Sequence, residues 1–161
     1  MSTQNTTREA IVALSPVQST VQITKELNMA GYTRIDRVDY QEALIQTIQT
    51  RKPSIAIITS ELPGRKTIGE IFAEISAISP DTRIIFVSKS VNEEELLNIY
   101  IAENISAWLL SERSDRTLSL AIEAAEANQL FVDFAVNNSL RAVIREKQSV
   151  LTTSTANFGN L

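Results

Sequence analysis

Residues 53–64 of the chain read PSIAIITSELPG. Four apolar residues (55–58) stand in this stretch between Pro53 and the polar pair Thr59 and Ser60, and a Pro-Gly turn follows. Similar runs lie at residues 11–14, 84–87 and 107–110, with a weaker one at 34–38. Short, continuous apolar runs of this kind are typical of strands that are buried on both faces of a parallel sheet.

Helical patterns lie between and after these runs, over residues 17–29, 41–50, 67–78, 92–102, 114–128 and 133–147. Five strands that alternate with five helices predict a doubly wound α/β sheet with right-handed crossovers. The sixth helix is appended. We expect a flexible N-terminus (1–9), one domain (10–130), a C-terminal helix (131–147) and a disordered tail (148–161) that is rich in Ser, Thr and Asn.

The composition excludes several kinds of chemistry. The 161 residues include no His and no Cys, which rules out disulfides, Cys/His zinc sites and catalysis by imidazole or thiolate. A formal net charge of −4 argues against nucleic-acid binding by this chain alone. Apolar runs of about four residues are too short for a membrane helix. The N-terminus is too polar for a signal peptide, so we expect a cytoplasmic protein.

Four segments together resemble the receiver domain of bacterial two-component response regulators, most closely the NarL/LuxR type. Residues 53–64 resemble the family's third strand and the loop after it, residues 80–88 its fourth strand, and residues 107–110 its fifth. Residues 126–133 resemble the passage into the subfamily's linker helix. The resemblance implies a flavodoxin-like (CheY-like) fold, an α/β sheet of five parallel strands in the order 2-1-3-4-5 with an appended C-terminal helix.

The chain departs from this family at the positions that carry its chemistry. The family accepts phosphate on an Asp after strand three, holds Mg²⁺ with an acidic pair after strand one, and contacts the phosphoryl group with a Lys after strand five. The matching residues here are Thr59, Ser15, Pro16 and Ser111. Of the family's set, only the hydroxyl of Ser88 and an aromatic residue, Trp108, remain.

Neutral hydroxyls are poor ligands for Mg²⁺, and without an Asp there is no acceptor for an acyl phosphate. We therefore predict a degenerate phosphorylation pocket (Ser15, Pro16, Thr59, Ser88 and Ser111), no Mg²⁺, no cofactor and no enzymatic activity. Two alternatives stay open. Glu61 could compensate for the missing carboxylate, and a Ser/Thr kinase could modify Thr59.

Two apolar surfaces are candidates for protein contacts. The family commonly forms dimers through its fourth helix, fifth strand and fifth helix, which implies a surface here of Leu96, Leu97, Tyr100, Ile101 and Trp108. The C-terminal helix has more apolar residues than a passive linker needs, and these must pack on the domain or on a partner. They include Phe131, Phe134, Leu140, Val143 and Ile144.

The leading hypothesis is a phosphorylation-independent pseudo-receiver that acts as a regulatory protein-interaction module and forms a homodimer. The alternative is the receiver part of a NarL/LuxR-type transcriptional regulator whose DNA-binding helix-turn-helix is absent from this chain. Leu151 and Thr152 stand where that domain would begin, but the residues after them do not continue its pattern. A third hypothesis is a ligand-binding protein or enzyme that uses the strand-end pocket, and it is the weakest because the pocket offers only hydroxyls and a Pro.

Overall fold

The computed structural model describes residues 8–15, 20–91, 99, 102, 104–111 and 114–159. Most of the predicted helix over residues 92–102 lies outside this range. The described strands are β1 (Arg8–Ala13), β2 (Tyr32–Val38), β3 (Ile55–Thr59), β4 (Arg83–Ser88), β5 (Ile105–Leu110) and β6 (Phe131–Val132). The described helices are α1 (Val21–Met29), α2 (Gln41–Arg51), α3 (Ile68–Ile78), α4 (Ser114–Glu126) and α5 (Phe134–Gly159).

The strands form one sheet in the order β2-β1-β3-β4-β5-β6, and all of the pairs are parallel. The prediction of an α/β sheet in the order 2-1-3-4-5 is confirmed for the first five strands, but the prediction of only five strands is wrong. The sixth strand forms because the chain passes along the edge of β5 after α4, pairing Phe131 with Ala107 and Val132 with Trp108. A two-residue strand is too short to give a periodic signal in the sequence.

The sheet is buried between two helical layers. α2, α3 and the first half of α5 cover one face, where Ile58, Phe86 and Trp108 belong to the same core cluster. α1 and α4 cover the other face, where Ile57 and Leu109 belong to the second cluster. Since successive strand residues point to opposite faces, this double cover accounts for the unbroken apolar runs in the central strands.

The ends of α3 and α4 have clear physical causes. α3 begins after Thr67, whose Oγ1 accepts a hydrogen bond of 3.1 Å from the backbone N–H of Glu70. α4 ends in a Schellman motif, in which the N–H of Gln129 donates to Ala124 and that of Asn128 donates to Ala125. Asn128 has the left-handed backbone conformation that this motif requires, with φ of 58°.

The C-terminal helix is longer than the sequence predicts. α5 continues to Gly159, through most of the segment (148–161) for which we expected a disordered tail. No Pro or Gly occurs from Phe134 to Phe158, so nothing in this stretch forces the helix to stop. At the other end of the chain, Arg8 and Glu9 belong to β1 although they were assigned to the flexible N-terminus. Among the described helices, none combines the length and the hydropathy needed to cross a membrane.

Candidate functional site

The carboxyl ends of the four central strands lie side by side and bring the predicted pocket residues to one edge of the sheet. Strand register places Ala13 beside Ile58, Thr59 beside Val87, and Ser88 beside Leu110. Ser15 follows β1 and Ser111 follows β5. Four of the five pocket residues, Ser15, Thr59, Ser88 and Ser111, are therefore at this edge, whereas Pro16 lies outside the described residues.

Thr59 is buried at the end of β3, with 2% of its surface exposed. Its Oγ1 accepts a long hydrogen bond of 3.4 Å from the backbone N–H of Glu61, and its carbonyl oxygen accepts one from Leu62. The hydroxyl thus belongs to the turn that follows its own strand. A kinase could reach this hydroxyl only if the strand end opened.

Ser88 and Trp108 form a buried hydrogen bond. The indole Nε1–H donates to Ser88 Oγ at 2.8 Å, and each residue is only 2% exposed. Trp108 also packs on Phe86, with 5.6 Å between the ring centroids. The structure therefore corrects the placement of Trp108 on an interaction surface, because its side chain lies in the core. Its side chain shares a core cluster with α5, and β6 pairs with its backbone.

The only carboxylate in the loop after β3 points to a neighbouring lysine. Glu61 Oε1 lies 3.9 Å from Lys89 Nζ, and both side chains are exposed. This ion pair is exposed to solvent, whereas Thr59 and Ser88 are buried. Glu61 thus shows no contact that would compensate for the carboxylate missing at Thr59.

The donor set at the strand ends does not fit the Mg²⁺ that receiver chemistry requires. Ser15, Thr59 and Ser88 offer neutral hydroxyls, while Mg²⁺ in proteins is bound through carboxylates together with phosphate and water. Across the described parts of the chain, no group of three or more Asp and Glu side chains is placed to hold a metal ion. Among the described residues at these strand ends, Ser15, Thr59 and Ser88 offer hydroxyls where an acyl phosphate and a divalent cation would need carboxylates.

Sequence reasoning missed a clamp on the loop between β3 and α3. Gln41 at the start of α2 is buried, and its side chain bonds to both backbone groups of Lys66, donating to the carbonyl at 2.9 Å and accepting from the N–H at 3.0 Å. The N–H of Gln41 also donates to Pro63. A Cβ on Gly64 would overlap the carboxamide of Gln41, so this position needs glycine for close approach. In the sequence, only Gly64 could have indicated these hydrogen bonds between Gln41 and Lys66.

The two predicted contact surfaces have different outcomes. Leu96, Leu97, Tyr100 and Ile101 lie outside the described residues, and Trp108 is buried. On the C-terminal segment, Leu140 and Val143 are buried against the sheet and Phe131 is half-buried. Phe134 is 70% exposed and Ile144 is 36% exposed. Of the described residues of the two predicted surfaces, only Phe134 and Ile144 are exposed.

Comparison with known proteins identifies the fold. The chain is similar to the isolated receiver domain of RcsB from Salmonella enterica serovar Typhimurium, with a TM-score of 0.72, 19% identity, and coverage of 81% of this chain and 96% of that one. It is similar to the Salmonella typhimurium RcsB response regulator, with a TM-score of 0.70, 19% identity, and coverage of 83% and 67%.

A LuxR-family two-component response regulator from Aurantimonas sp. SI85-9A1 gives a TM-score of 0.69 at 18% identity, with coverage of 84% of this chain and 95% of that one. No protein-family model matches the sequence. No curated protein matches it either. The chain therefore has the α/β fold of receiver domains, extended by one strand.

Proposed function

We propose that this chain is a pseudo-receiver, a regulatory protein-interaction module that works without phosphorylation. The observation that carries the proposal is the strand-end pocket, where Ser15, Thr59 and Ser88 place buried hydroxyls. The comparisons support the receiver fold, and the residue chemistry of the pocket supports the loss of phosphorylation. In this account the chain is not an enzyme and binds no Mg²⁺, and it acts in the cytoplasm as a homodimer.

The pocket favours a single conformation. A group of carboxylates at one site would repel one another, and neutral hydroxyls remove that repulsion. Ser88 is held by the bond from Trp108. Moving Ser88 away would leave a buried indole N–H without an acceptor, which costs about 1–3 kcal/mol. The domain then presents a fixed surface to its partner.

A Mg²⁺ titration tests the fixed conformation. Trp108 is the only Trp of the chain, so its fluorescence reports on the environment of the Ser88 bond. We expect the emission and the melting temperature to stay unchanged when Mg²⁺ and a small-molecule phosphodonor are added. A saturable shift that requires Mg²⁺ would contradict the proposal.

The second candidate function is the receiver part of a DNA-binding regulator. The similarity to the RcsB response regulator favours this candidate, because RcsB shows conformational dynamism for DNA interaction. In that case the DNA-binding helices lie in sequence beyond Leu161. A DNA-binding helix-turn-helix encoded in frame after residue 161 of the native gene would favour this candidate. The net charge of −4 predicts no DNA binding by these 161 residues alone, and salt-sensitive binding of duplex DNA by them would contradict that expectation.

A further inference from the structure

The two edges of the described sheet differ in length. At one edge lies β6, which has only two residues and covers part of β5. At the other edge lies β2, whose seven residues pair with β1 alone among the described strands. An edge strand leaves a row of backbone N–H and C=O groups that can pair with a further strand. Of the described strands, β2 therefore offers the longest open edge.

The charges of β2 are arranged around Ile35. Arg34 precedes this residue and Asp36 follows it, and Arg34 Nε lies 3.9 Å from Asp36 Oδ2, since residues i and i+2 of a strand share a face. Asp36 Oδ2 is also 3.9 Å from the Nε of Arg51 at the end of α2, so both side chains point to the face that α2 covers. The side chains of Arg34 and Asp36 are 42% and 33% exposed, and a second chain can reach them.

Four side chains form a loose charge cluster on this face: Arg34, Asp36, Arg51 and Glu9 of β1. Their N–O distances are 3.6–4.0 Å, which is longer than a hydrogen bond. Charges of one sign at an edge would repel a second copy, but the two positive and two negative charges of this cluster cancel. Arg34 and Asp36 thus remain able to bind an opposite charge on a neighbouring strand.

Antiparallel pairing of two β2 strands has one register that suits these charges. A two-fold axis normal to the sheet keeps every side chain on its own face, so the axis must pass beside a residue and not between two residues. With the axis at Ile35, Arg34 of each copy lies directly opposite Asp36 of the other. An axis at Arg34, Asp36 or Arg37 would instead place two like charges opposite each other, which destabilises the pairing.

We propose that two copies of this chain dimerise by antiparallel pairing of their β2 strands about Ile35. Backbone hydrogen bonds join the two edges, and two ion pairs between Arg34 and Asp36 cross the axis. These pairs link the charge clusters of the two copies into one network, and networks stabilise more than isolated exposed pairs do. This inference rests on the proposed homodimer and names its contact. It is independent of the chemistry of the strand-end pocket.

Charge reversal in the full chain tests this register. Arg34→Glu places a carboxylate opposite Asp36 at two points of the dimer, and Asp36→Arg places a guanidinium opposite Arg34 at two points. Each variant alone should raise the dissociation constant of the dimer roughly tenfold or more, as measured by analytical ultracentrifugation. Arg141→Glu makes the same change of charge at an exposed position of α5 and should leave the constant unchanged. Native constants for both β2 variants would overturn the proposal.

The two variants complement each other only in the proposed register. When they are mixed in equal amounts, the new carboxylate at position 34 faces the new guanidinium at position 36, and the native Asp36 of one chain faces the native Arg34 of the other. The mixture should therefore form a dimer with one copy of each variant and a dissociation constant near the native value. Such a dimer would also show that both variants fold. A mixture of variants with native circular dichroism that stays monomeric would overturn the proposal.

A disulfide at the two-fold axis tests the same contact without a change of charge, because the chain has no native Cys. Directly opposite residues of antiparallel strands have Cα atoms about 4.5–5.5 Å apart, within the roughly 4.4–6.8 Å that a disulfide spans. Ile35→Cys should form a covalent dimer on mild oxidation. Thr33→Cys, on the same strand and face, should not, since these positions of the two copies would lie roughly 14 Å apart. Equal cross-linking of the two variants would overturn the proposal.

The outcomes distinguish a failure of this contact from a failure of the proposed function. A native chain that dimerises equally well with and without the substitutions in β2 would overturn the contact and leave the homodimer standing. A native chain that is monomeric at every concentration would overturn the contact and the homodimer together. A phosphoryl adduct, detected by the intact mass of the chain, would contradict the proposed function and leave the β2 dimer intact.

Discussion

At the scale of single residues, the hydroxyls of Thr59 and Ser88 lie at the ends of β3 and β4, where the resemblance to receivers implies a phosphorylated Asp and a switch hydroxyl. Each is buried and accepts a hydrogen bond from its own surroundings, Thr59 from the N–H of Glu61 and Ser88 from the indole of Trp108. Uncharged groups with local partners can be buried at little cost, whereas an isolated carboxylate cannot. Thr59 and Ser88 are therefore accommodated in the core without a counter-charge.

Replacement of Ser88 tests its hydrogen bond with Trp108. Ser88→Ala leaves the buried Nε1–H of Trp108 without its acceptor, and we expect the free energy of unfolding to fall by about 1–3 kcal/mol. Urea denaturation followed by circular dichroism measures the change. Ser90→Ala, at an exposed position two residues away, is the matched control and should change stability by under about 0.5 kcal/mol. Equal effects of the two substitutions would show that the bond contributes nothing.

The sequence predicts the strand-end positions of Thr59 and Ser88, and it predicts the residues around them less well. Thr59 and Ser88 could be placed because each one ends a buried strand, and register brings strand ends together. Trp108 could not be placed in the core, since its cover comes from β6 and α5, whose path depends on tertiary packing. The clamp at Gln41 was missed for a similar reason. It joins a helix start to a loop that is distant in sequence.

At the scale of elements, the clamp between α2 and the β3–α3 loop makes a quantitative prediction. Gln41→Ala removes two hydrogen bonds to Lys66, and Gly64→Ala displaces the same side chain, so each should lower the free energy of unfolding by about 1–3 kcal/mol. In the Gln41→Ala background, Gly64→Ala should cost under about 0.5 kcal/mol, because nothing is left to displace. Additive losses in a double-mutant cycle by urea denaturation would contradict the clamp.

The contact of β1, β2 and α4 gives a prediction of pH dependence. The pKa of Tyr32 is raised to about 12, chiefly by burial and also by nearby Glu126, while Arg8 opposes the shift. The unfolded chain loses this phenol proton near pH 10 and the folded chain does not. Stability is therefore complete below pH 10 and falls as the pH rises toward about 12. Urea denaturation at several alkaline pH values should show this fall.

Tyr32→Phe should remove that part of the alkaline loss, because no phenol remains to ionise in the unfolded state. Tyr40→Phe is the control, since Tyr40 is 49% exposed and its substitution should leave the pH profile unchanged. If stability falls with alkaline pH equally in the native chain and in Tyr32→Phe, the pKa of Tyr32 is not raised by folding.

The C-terminal helix α5 divides into an inner and an outer face, which the sequence pattern treated as one surface. Leu140→Ala opens a cavity in the core, and we expect a loss of about 2–5 kcal/mol. Ile144→Ala is a matched control on the same helix, and it should cost under about 1 kcal/mol because the side chain is 36% exposed. Melting temperatures of the two variants measure the difference. A larger loss at Ile144 would contradict the assigned faces.

At the scale of the whole molecule, an alternating α/β sheet could be predicted because the apolar runs of β1, β3, β4 and β5 are buried on both faces and alternate with helical patterns. The order of the first five strands followed from the resemblance to receiver domains. The sixth strand and the length of α5 could not be predicted. Phe131 and Val132 are too few to show a period, and the polar composition after Gln148 favoured a disordered tail. These two features extend the sheet beyond β5 and cover Trp108, which we predicted on an interaction surface.

The central claim is that this receiver fold has lost its phosphorylation chemistry. Its most direct test is the intact mass of the chain after incubation with a small-molecule phosphodonor and Mg²⁺, beside a receiver domain that retains its acceptor Asp. We predict an unchanged mass for this chain, because Thr59 provides a buried hydroxyl where an acyl phosphate needs a carboxylate. The gain of one phosphoryl group that hydroxylamine removes would contradict the account.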